Sequence, residues 1–282
     1  MRIHYNKYIV ISIFIIIIVY CLFYKTDPVE GFDTNHYITG KLGNGLGNRI
    51  FIMLAVKGFA EKTNKVPVFS LDSMESNPHE EFDETFDAMK EIFPEFQVIK
   101  DSKWKDISEA KEFHYEDNLL KNSENDDVRL HGIFQHPKYF PSKMPTLQKN
   151  ILKNTAFIHI RLGDYENTVH DVGLKDYYKK CIHWFKKNSP TTRFLILSNN
   201  PEKAEAQVKE YSITYRMSKA KKAIDVLKEM ASCTGGICSN SSLSYLGAQF
   251  QDTNRGTVFM PSTWILNKEI PNDFYPSWAT VI

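Results

Sequence analysis

The chain of 282 residues has almost no net charge: 35 Lys and Arg stand against 34 Asp and Glu, leaving +1. A nucleic-acid binder ordinarily shows a basic excess, so that class is excluded. Arginine is scarce, accounting for only seven of the 35 cations. A planar guanidinium forks onto phosphate where an ammonium is only a point charge, so each Arg is a candidate anion ligand. Cysteine is scarce too, limited to Cys21, Cys181, Cys233 and Cys238. Cys233 and Cys238 bracket Thr-Gly-Gly-Ile, which matches no common zinc spacing. Buried free thiols are one reading of them, and a local disulfide in an oxidising lumen is the other. No strand-like run is followed by Asp-x-Asp, so the carboxylate pair that holds Mg²⁺ or Mn²⁺ against a diphosphate is missing. There is no G-x-x-x-x-G-K-[ST] loop, no internal repeat and no low-complexity tract. With 42% hydrophobic and 24% charged residues, the chain is globular in composition and long enough for one large domain or two lobes.

The N-terminus carries the one long apolar run. Tyr8 to Tyr24 is uncharged and close to the roughly 20 residues that span a bilayer. Arg2 and Lys7 precede it, and Lys25, Asp27 and Glu30 follow. The positive-inside rule then predicts a cytoplasmic tail (1–7), a signal anchor (8–24) and a stem (25–35), with the remainder across the membrane. A cleaved signal peptide is the rival, but it needs small residues before the cut, and Val19 to Tyr24 is bulky.

Beyond the stem, apolar patterning predicts two α/β halves, 36–150 and 151–282. In the first, Tyr37 to Leu42 reads as a strand, Gly43 to Gly47 as a turn, Asn48 to Thr63 as a helix and Val66 to Leu71 as a strand. Ile50, Met53, Leu54 and Phe59 mark one apolar face of that helix. Glu80 to Phe96 reads as an amphipathic helix and Asn122 to Asp127 as a polar loop. In the second half, strands are expected at Thr155 to Ile160, at Phe194 to Leu197 and from Ile237. Helices are expected at Leu174 to Phe185, Pro201 to Tyr211, Ala223 to Ser232 and Ser241 to Phe250. Two Rossmann-like lobes follow from this alternation.

Three motifs carry chemistry. Gly43-Asn44-Gly45-Leu46-Gly47-Asn48-Arg49 joins a strand to a helix, where glycines admit a close ligand and a helix N-terminus attracts anions. A plain tight turn is the bland reading. Asp72, ending the second strand, stands where dinucleotide enzymes place an acid on a ribose. His159 to Tyr165 follows an apolar strand, so Arg161 sits at a sheet's carboxyl edge, where ligands bind in open α/β sheets. Asp164 can orient Arg161 or accept a proton. A surface Arg–Asp pair beside a core His is the alternative. Ser239 to Tyr245 supplies hydroxyls and free N–H groups at a third helix start, or else an ordinary cap. Asn240-Ser241-Ser242 is also a formal glycosylation sequon, whose use conflicts with a ligand at that junction.

Together these motifs resemble the α-1,2-fucosyltransferase family, glycosyltransferase family 11. Gly43 to Phe51 is similar to Gly-Gly-Leu-Gly-Asn-Gln-Met-Phe, His159 to Tyr165 to His-x-Arg-Arg-Gly-Asp-Tyr, and Asp225 to Ala248 to the family's Asp-Leu-x-Leu-Met-Ser-x-Cys…Asn-Ser-Thr-Phe-Ser-Trp-Trp-Gly-Ala. Gly132 to Phe140, His170 to Tyr178, Val258 to Trp264 and Asp273 to Trp278 are weaker echoes. The resemblance implies a GT-B-like fold and GDP-fucose as donor, with residues 36–150 on the acceptor side and 151–282 binding the nucleotide. It implies Arg161 on the β-phosphate, and His159 and Asp225 near the guanine. Asn240, Ser241, Ser242 and Ser244 would line the phosphate region, with Gly45, Gly47 and Asn48 facing the donor sugar. The chain departs from the family pattern at Leu162 (Arg), Arg49 (Gln), Ser198-Asn199-Asn200 (Ser-Asp-Asp) and Tyr245-Leu246 (Trp-Trp).

The implied reaction is an inverting displacement at the fucose anomeric carbon through an oxocarbenium-like transition state. A terminal galactose would be the acceptor, no metal or other cofactor is expected, and the enzyme would be a type II membrane protein facing a lumen. Asp164, Glu166 and His170 are the candidate bases. The rival readings are a transferase for another sugar nucleotide or linkage, and a non-catalytic, membrane-tethered sugar-nucleotide or glycan-binding protein. A dinucleotide oxidoreductase is a remote fourth.

Overall fold

The computed structural model describes residues 36–75 and 82–282. The expected tail, anchor and stem lie outside the described residues. Among the described residues, no helix is long and apolar enough to cross a membrane.

The first lobe is built on a parallel sheet of β1 (Tyr37–Gly40), β2 (Val66–Ser70), β3 (Gln97–Ile99), β4 (Trp104–Ser108) and β5 (Asp127–His131), in the order β3-β2-β1-β5-β4. The second carries a parallel sheet of β6 (Thr155–Ile160), β7 (Arg193–Ser198), β8 (Tyr215–Met217), β9 (Gly236–Ile237), β10 (Val258–Met260) and β11 (Ala279–Val281), in the order β11-β10-β9-β6-β7-β8. Helices α1 (Leu46–Thr63) and α2 (Phe82–Ile92) belong to the first lobe. Helices α3 (Lys175–Asn188), α4 (Pro201–Lys209), α5 (Ala223–Ser232) and α6 (Ser242–Gln249) belong to the second. Two α/β lobes with parallel sheets are thus present, as the alternation predicts. The second sheet reverses its winding between β6 and β9, while in the first the chain crosses from β3 at one edge to β4 at the other before β5 comes to lie beside β1. In open parallel sheets, ligands bind at such reversals, where successive loops diverge.

The expected single apolar face of α1 is too narrow. Its residues are buried nearly all round, including Leu46, Ile50, Phe51, Ile52, Met53 and Val56. The reason is position: one side covers the first sheet and the other meets α6 of the second lobe. Phe51 packs edge-on against Tyr245 with ring centroids 5.2 Å apart. A helix enclosed on both sides shows little amphipathicity. Arg49 is enclosed with it, donating from Nε to Asn44 O (2.9 Å) and from Nη2 to Glu75 O (2.7 Å). This arginine ties down the glycine loop, and its burial explains why it differs from the other cations.

The segment before β11 touches the first lobe. Phe274 packs edge-on against Phe113 at 5.6 Å, and Lys138 pairs with Asp273 at 2.9 Å. Cys181, Cys233 and Cys238 are free and buried, which decides for the free-thiol reading. Asp72 takes Arg129 at 2.9 Å and hydrogen bonds from Ser70 and Ser73. It closes a local network within the first lobe and does not line the cleft described below.

Candidate active site

A cleft of about 370 Å³ opens between the lobes at the carboxyl ends of both sheets. The loops after β1 and β5 line it from one side, and those after β6 and β9 from the other. Two helix starts converge there. Gly45 is the N-cap residue of α1 and Ser241 that of α6, and neither makes a side-chain cap hydrogen bond. Their first N–H groups therefore face the cleft without an intrahelical partner, adding partial positive charge. The helices approach so closely that a Cβ on Gly47 would lie 2.6 Å from Ser242 Oγ and 2.7 Å from Leu243 N. Only glycine allows the two N-termini to share one space.

Arg161 enters from the end of β6. Its Nη2 donates to Asp164 Oδ2 at 2.7 Å, and its guanidinium lies 5.4 Å from the centre of the Tyr165 ring. Its Nε is buried with no hydrogen-bond partner. A desolvated donor of this kind costs free energy until a ligand supplies an acceptor. Asp164 is held from its other oxygen by Asn199 Nδ2 at 2.8 Å. The same amide accepts from Leu162 N (2.9 Å) and donates to Leu162 O (2.8 Å). Two departures from the family pattern, at 162 and 199, are therefore neighbours. One position lacks a cation and the other an anion, so the local charge balance is kept.

That geometry makes a prediction. Asn199→Asp would replace an amide donor to Asp164 by a second carboxylate, and like charges at that distance repel. Misplacing Arg161 through Asp164 should lower kcat on the order of 10-fold or more with little change in fold. Steady-state kinetics beside a thermal melt would check it; kcat equal to that of the parent would show that Asn199 positions nothing.

Gly45, Gly47, Asn48, Arg161, Asp164, His170, Asn240, Ser241 and Ser242 all line the cleft. His159, Ser244 and Asp225 do not. His159 is buried beneath the site, its Nδ1 2.9 Å from Ser239 Oγ, and burial together with Arg161 lowers its pKa to about 3. It is neutral at any working pH. Ser244 Oγ donates to Ser239 O and Ser241 O, shaping the start of α6 from within. Asp225 is exposed in the first turn of α5, two residues beyond Ala223, which does line the cleft. Asn240 is 3% exposed and donates to His170 O and Trp264 O, both at 2.9 Å. The folded site has no room for a glycan at this sequon.

Of the candidate bases, Asp164 is engaged by Arg161 and Asn199. Glu166 takes Lys203 on both oxygens, at 2.8 and 3.0 Å. His170 stacks on Tyr165 with centroids 4.8 Å apart, and its ring nitrogens make no hydrogen bond among the described residues. Residues missed in the sequence complete the lining: Glu112, which pairs with Lys268, and Gln135 and Trp264. Gln135 lies within the aromatic stretch 132–140, but nothing in its spacing singles it out. Among the described residues, no group of three His, Cys, Asp or Glu is placed to hold a metal ion.

The profile of glycosyl transferase family 11 matches residues 95–281. An alpha-1,2-colitosyltransferase from Escherichia coli is 24% identical over 280 residues, covering 85% of this chain and 96% of the relative. The O-antigen biosynthesis glycosyltransferase WbnK, also from Escherichia coli, is 27% identical over 136 residues, 45% of each chain. Among solved structures, POFUT1 in complex with GDP-fucose aligns with a TM-score of 0.47 at 12% identity, covering 82% of this chain and 99% of that one. The fucosyltransferase NodZ from Bradyrhizobium aligns with a TM-score of 0.47 at 10% identity, covering 76% and 92%.

Proposed function

Because the chain belongs to glycosyl transferase family 11 and is a glycosyltransferase of the fucosyltransferase kind, we propose that it transfers L-fucose from GDP-fucose to a hydroxyl of a terminal galactoside, in α-1,2 linkage, with inversion and without a metal. The observation that carries this reading is the convergence of Arg161, with its unpartnered buried Nε, and two uncapped helix N-termini on one interlobe cleft. That convergence has the sign and the unpaired donors that a diphosphate needs.

In this reading, Arg161 forks onto the diphosphate and stabilises the charge that develops as GDP leaves. The N–H groups at Gly47, Asn48 and Ser242 add to the same field. Asp164 orients Arg161. His170, whose ring stacks on Tyr165 while its nitrogens have no hydrogen-bond partner among the described residues, takes the acceptor proton as the displacement proceeds. Asn240 and Ser241 set the floor of the phosphate region. His159 and Ser244 support that floor from beneath, and Asp225 lies at its rim. The carboxylates among the described residues that line the cleft, Asp164 and Glu112, are each paired with a cation, which supports the metal-free reading. The type II arrangement, with the catalytic part lumenal or extracytoplasmic, rests on residues 8–24 alone.

The relative named for colitosyl transfer favours a second reading, in which the transferred sugar is colitose. One assay separates the two. The protein is incubated with a β-galactoside and GDP-fucose in the presence of EDTA, and product is sought by mass spectrometry, with the colitosyl donor in a parallel reaction. Fucosylated product that survives EDTA is expected. Product from the colitosyl donor alone would replace the donor, and loss of all product in EDTA would overturn the metal-free mechanism.

A further inference from the structure

We propose that Gln135 binds a sugar hydroxyl in the cleft, its Oε1 accepting the hydroxyl proton while its Nε2 holds Asn48. The assignment rests on the transferase reading above. Gln135 follows the end of β5 in the first lobe, whereas Arg161 follows β6 in the second. It is 5% exposed yet lines the cleft. Nε2 donates to Asn48 Oδ1 at 2.9 Å, whereas Oε1 is buried with no partner. Buried acceptors are nearly always satisfied, so an orphan that borders a cleft points to a ligand.

The chemistry of the pair narrows the ligand. Oε1 can only accept, so a phosphate oxygen has nothing to offer it. Asn48 gives its Oδ1 to Gln135, and its Nδ2 has no partner among the described residues. The linked pair thus keeps one unused acceptor and one unused donor, and a hydroxyl both donates and accepts.

The loop that presents Gln135 is held firmly. Glu109, at the end of β4, accepts from Ile133 N (3.0 Å) and Phe134 N (3.1 Å). Gly132 has φ 153° and Phe134 φ 41°, a conformation that a phenylalanine rarely adopts. Phe134 is fully buried, packed edge-on against Phe59 and Tyr139. Backbone strain maintained by so many contacts is characteristic of positions that orient a functional group. Burial raises the Glu109 pKa to about 7, consistent with a carboxyl enclosed for support rather than for solvent.

The hydroxyl has two possible sources, the transferred sugar and the acceptor, and the test separates them. Gln135→Met removes both polar groups at similar size, and Gln135→Glu keeps an acceptor oxygen. Full-length protein in detergent would be titrated with GDP and with GDP-fucose, and acceptor KM and kcat measured, with a melt confirming the fold. For Gln135→Met, GDP affinity within twofold of the parent is expected, with a loss of tenfold or more elsewhere. Loss in GDP-fucose affinity assigns the hydroxyl to the transferred sugar; loss in acceptor kcat/KM alone assigns it to the acceptor. Gln135→Glu should retain more than Gln135→Met. A Met variant equal to the parent, or one that loses GDP in the same measure, overturns the assignment while leaving the transferase reading intact. Parent protein that binds neither GDP nor GDP-fucose overturns that reading, and this assignment with it.

Discussion

Arg161→Ala should abolish measurable transfer, with kcat reduced about 10²–10³-fold or more, while the protein stays folded. Removing one preorganised donor from a developing anion carries a cost of this order. Here nothing replaces it, because Arg161 is the one guanidinium among the residues that line the cleft. The next position, Leu162, packs its side chain against the core of the second lobe. Arg161→Lys tests geometry apart from charge: an ammonium cannot keep Asp164 and fork onto a diphosphate together. It should recover only part of the loss. The same donor and acceptor concentrations, product counted by mass spectrometry, and a melt within a few degrees of the parent make the comparison. Turnover within tenfold of the parent in Arg161→Ala would remove this residue from the mechanism.

Tyr245→Ala should cost about 3–5 kcal/mol of stability, the range for deleting a large buried ring. Tyr245 is fully buried where the lobes meet. Its ring lies 5.2 Å from Phe51 and 6.4 Å from Phe140 on the first lobe. On its own lobe it meets Phe274 at 5.6 Å, Trp278 at 6.2 Å and Trp264 at 6.5 Å. Its hydroxyl donates to Phe274 O at 3.3 Å, so Tyr245→Phe should lose only about 0.5–1.5 kcal/mol. Natural domains hold roughly 5–15 kcal/mol in reserve, so the alanine variant loses a large fraction of it. Urea unfolding of the three proteins would show the order. A Tyr245→Ala midpoint equal to the parent's would mean that the lobes are joined by other contacts.

The same residue shows where the sequence was legible. Position 245 reads as a departure from Trp-Trp, and its neighbours show only that a helix begins nearby; its role as the joint between lobes depends on residues 51 and 140, far away in the chain. Strand β6 and helix α5 were readable to their ends, because one is a continuous apolar run and the other has clear apolar periodicity. Strands β3, β4, β8, β10 and β11 were not. They are short, and no residue of β4 is fully buried. β5 starts at Asp127, inside an acidic stretch that reads as loop. Its carboxylate is a sheet anchor, accepting Tyr37 N at 2.8 Å. In the site, the residues that follow strands were legible because the edge of a parallel sheet is a predictable place. Gln135 was not, because its direction depends on a left-handed Phe134 that no local pattern announces. The pairing of Leu162 with Asn199 was equally invisible, since two departures 37 positions apart become one only when β6 and β7 lie side by side.

The three buried thiols have a use unrelated to catalysis. Burial raises the pKa of Cys181 and Cys233 to about 12 and that of Cys238 higher still. Cys238 lies under the start of α6, its Sγ donating to Ser244 O at 3.4 Å. A thiol that is both protonated and sealed reacts only when its surroundings open. Each cysteine is therefore a natural clock for the opening of its own region, running without an introduced label, and the clock beneath α6 reports on the wall of the cleft itself.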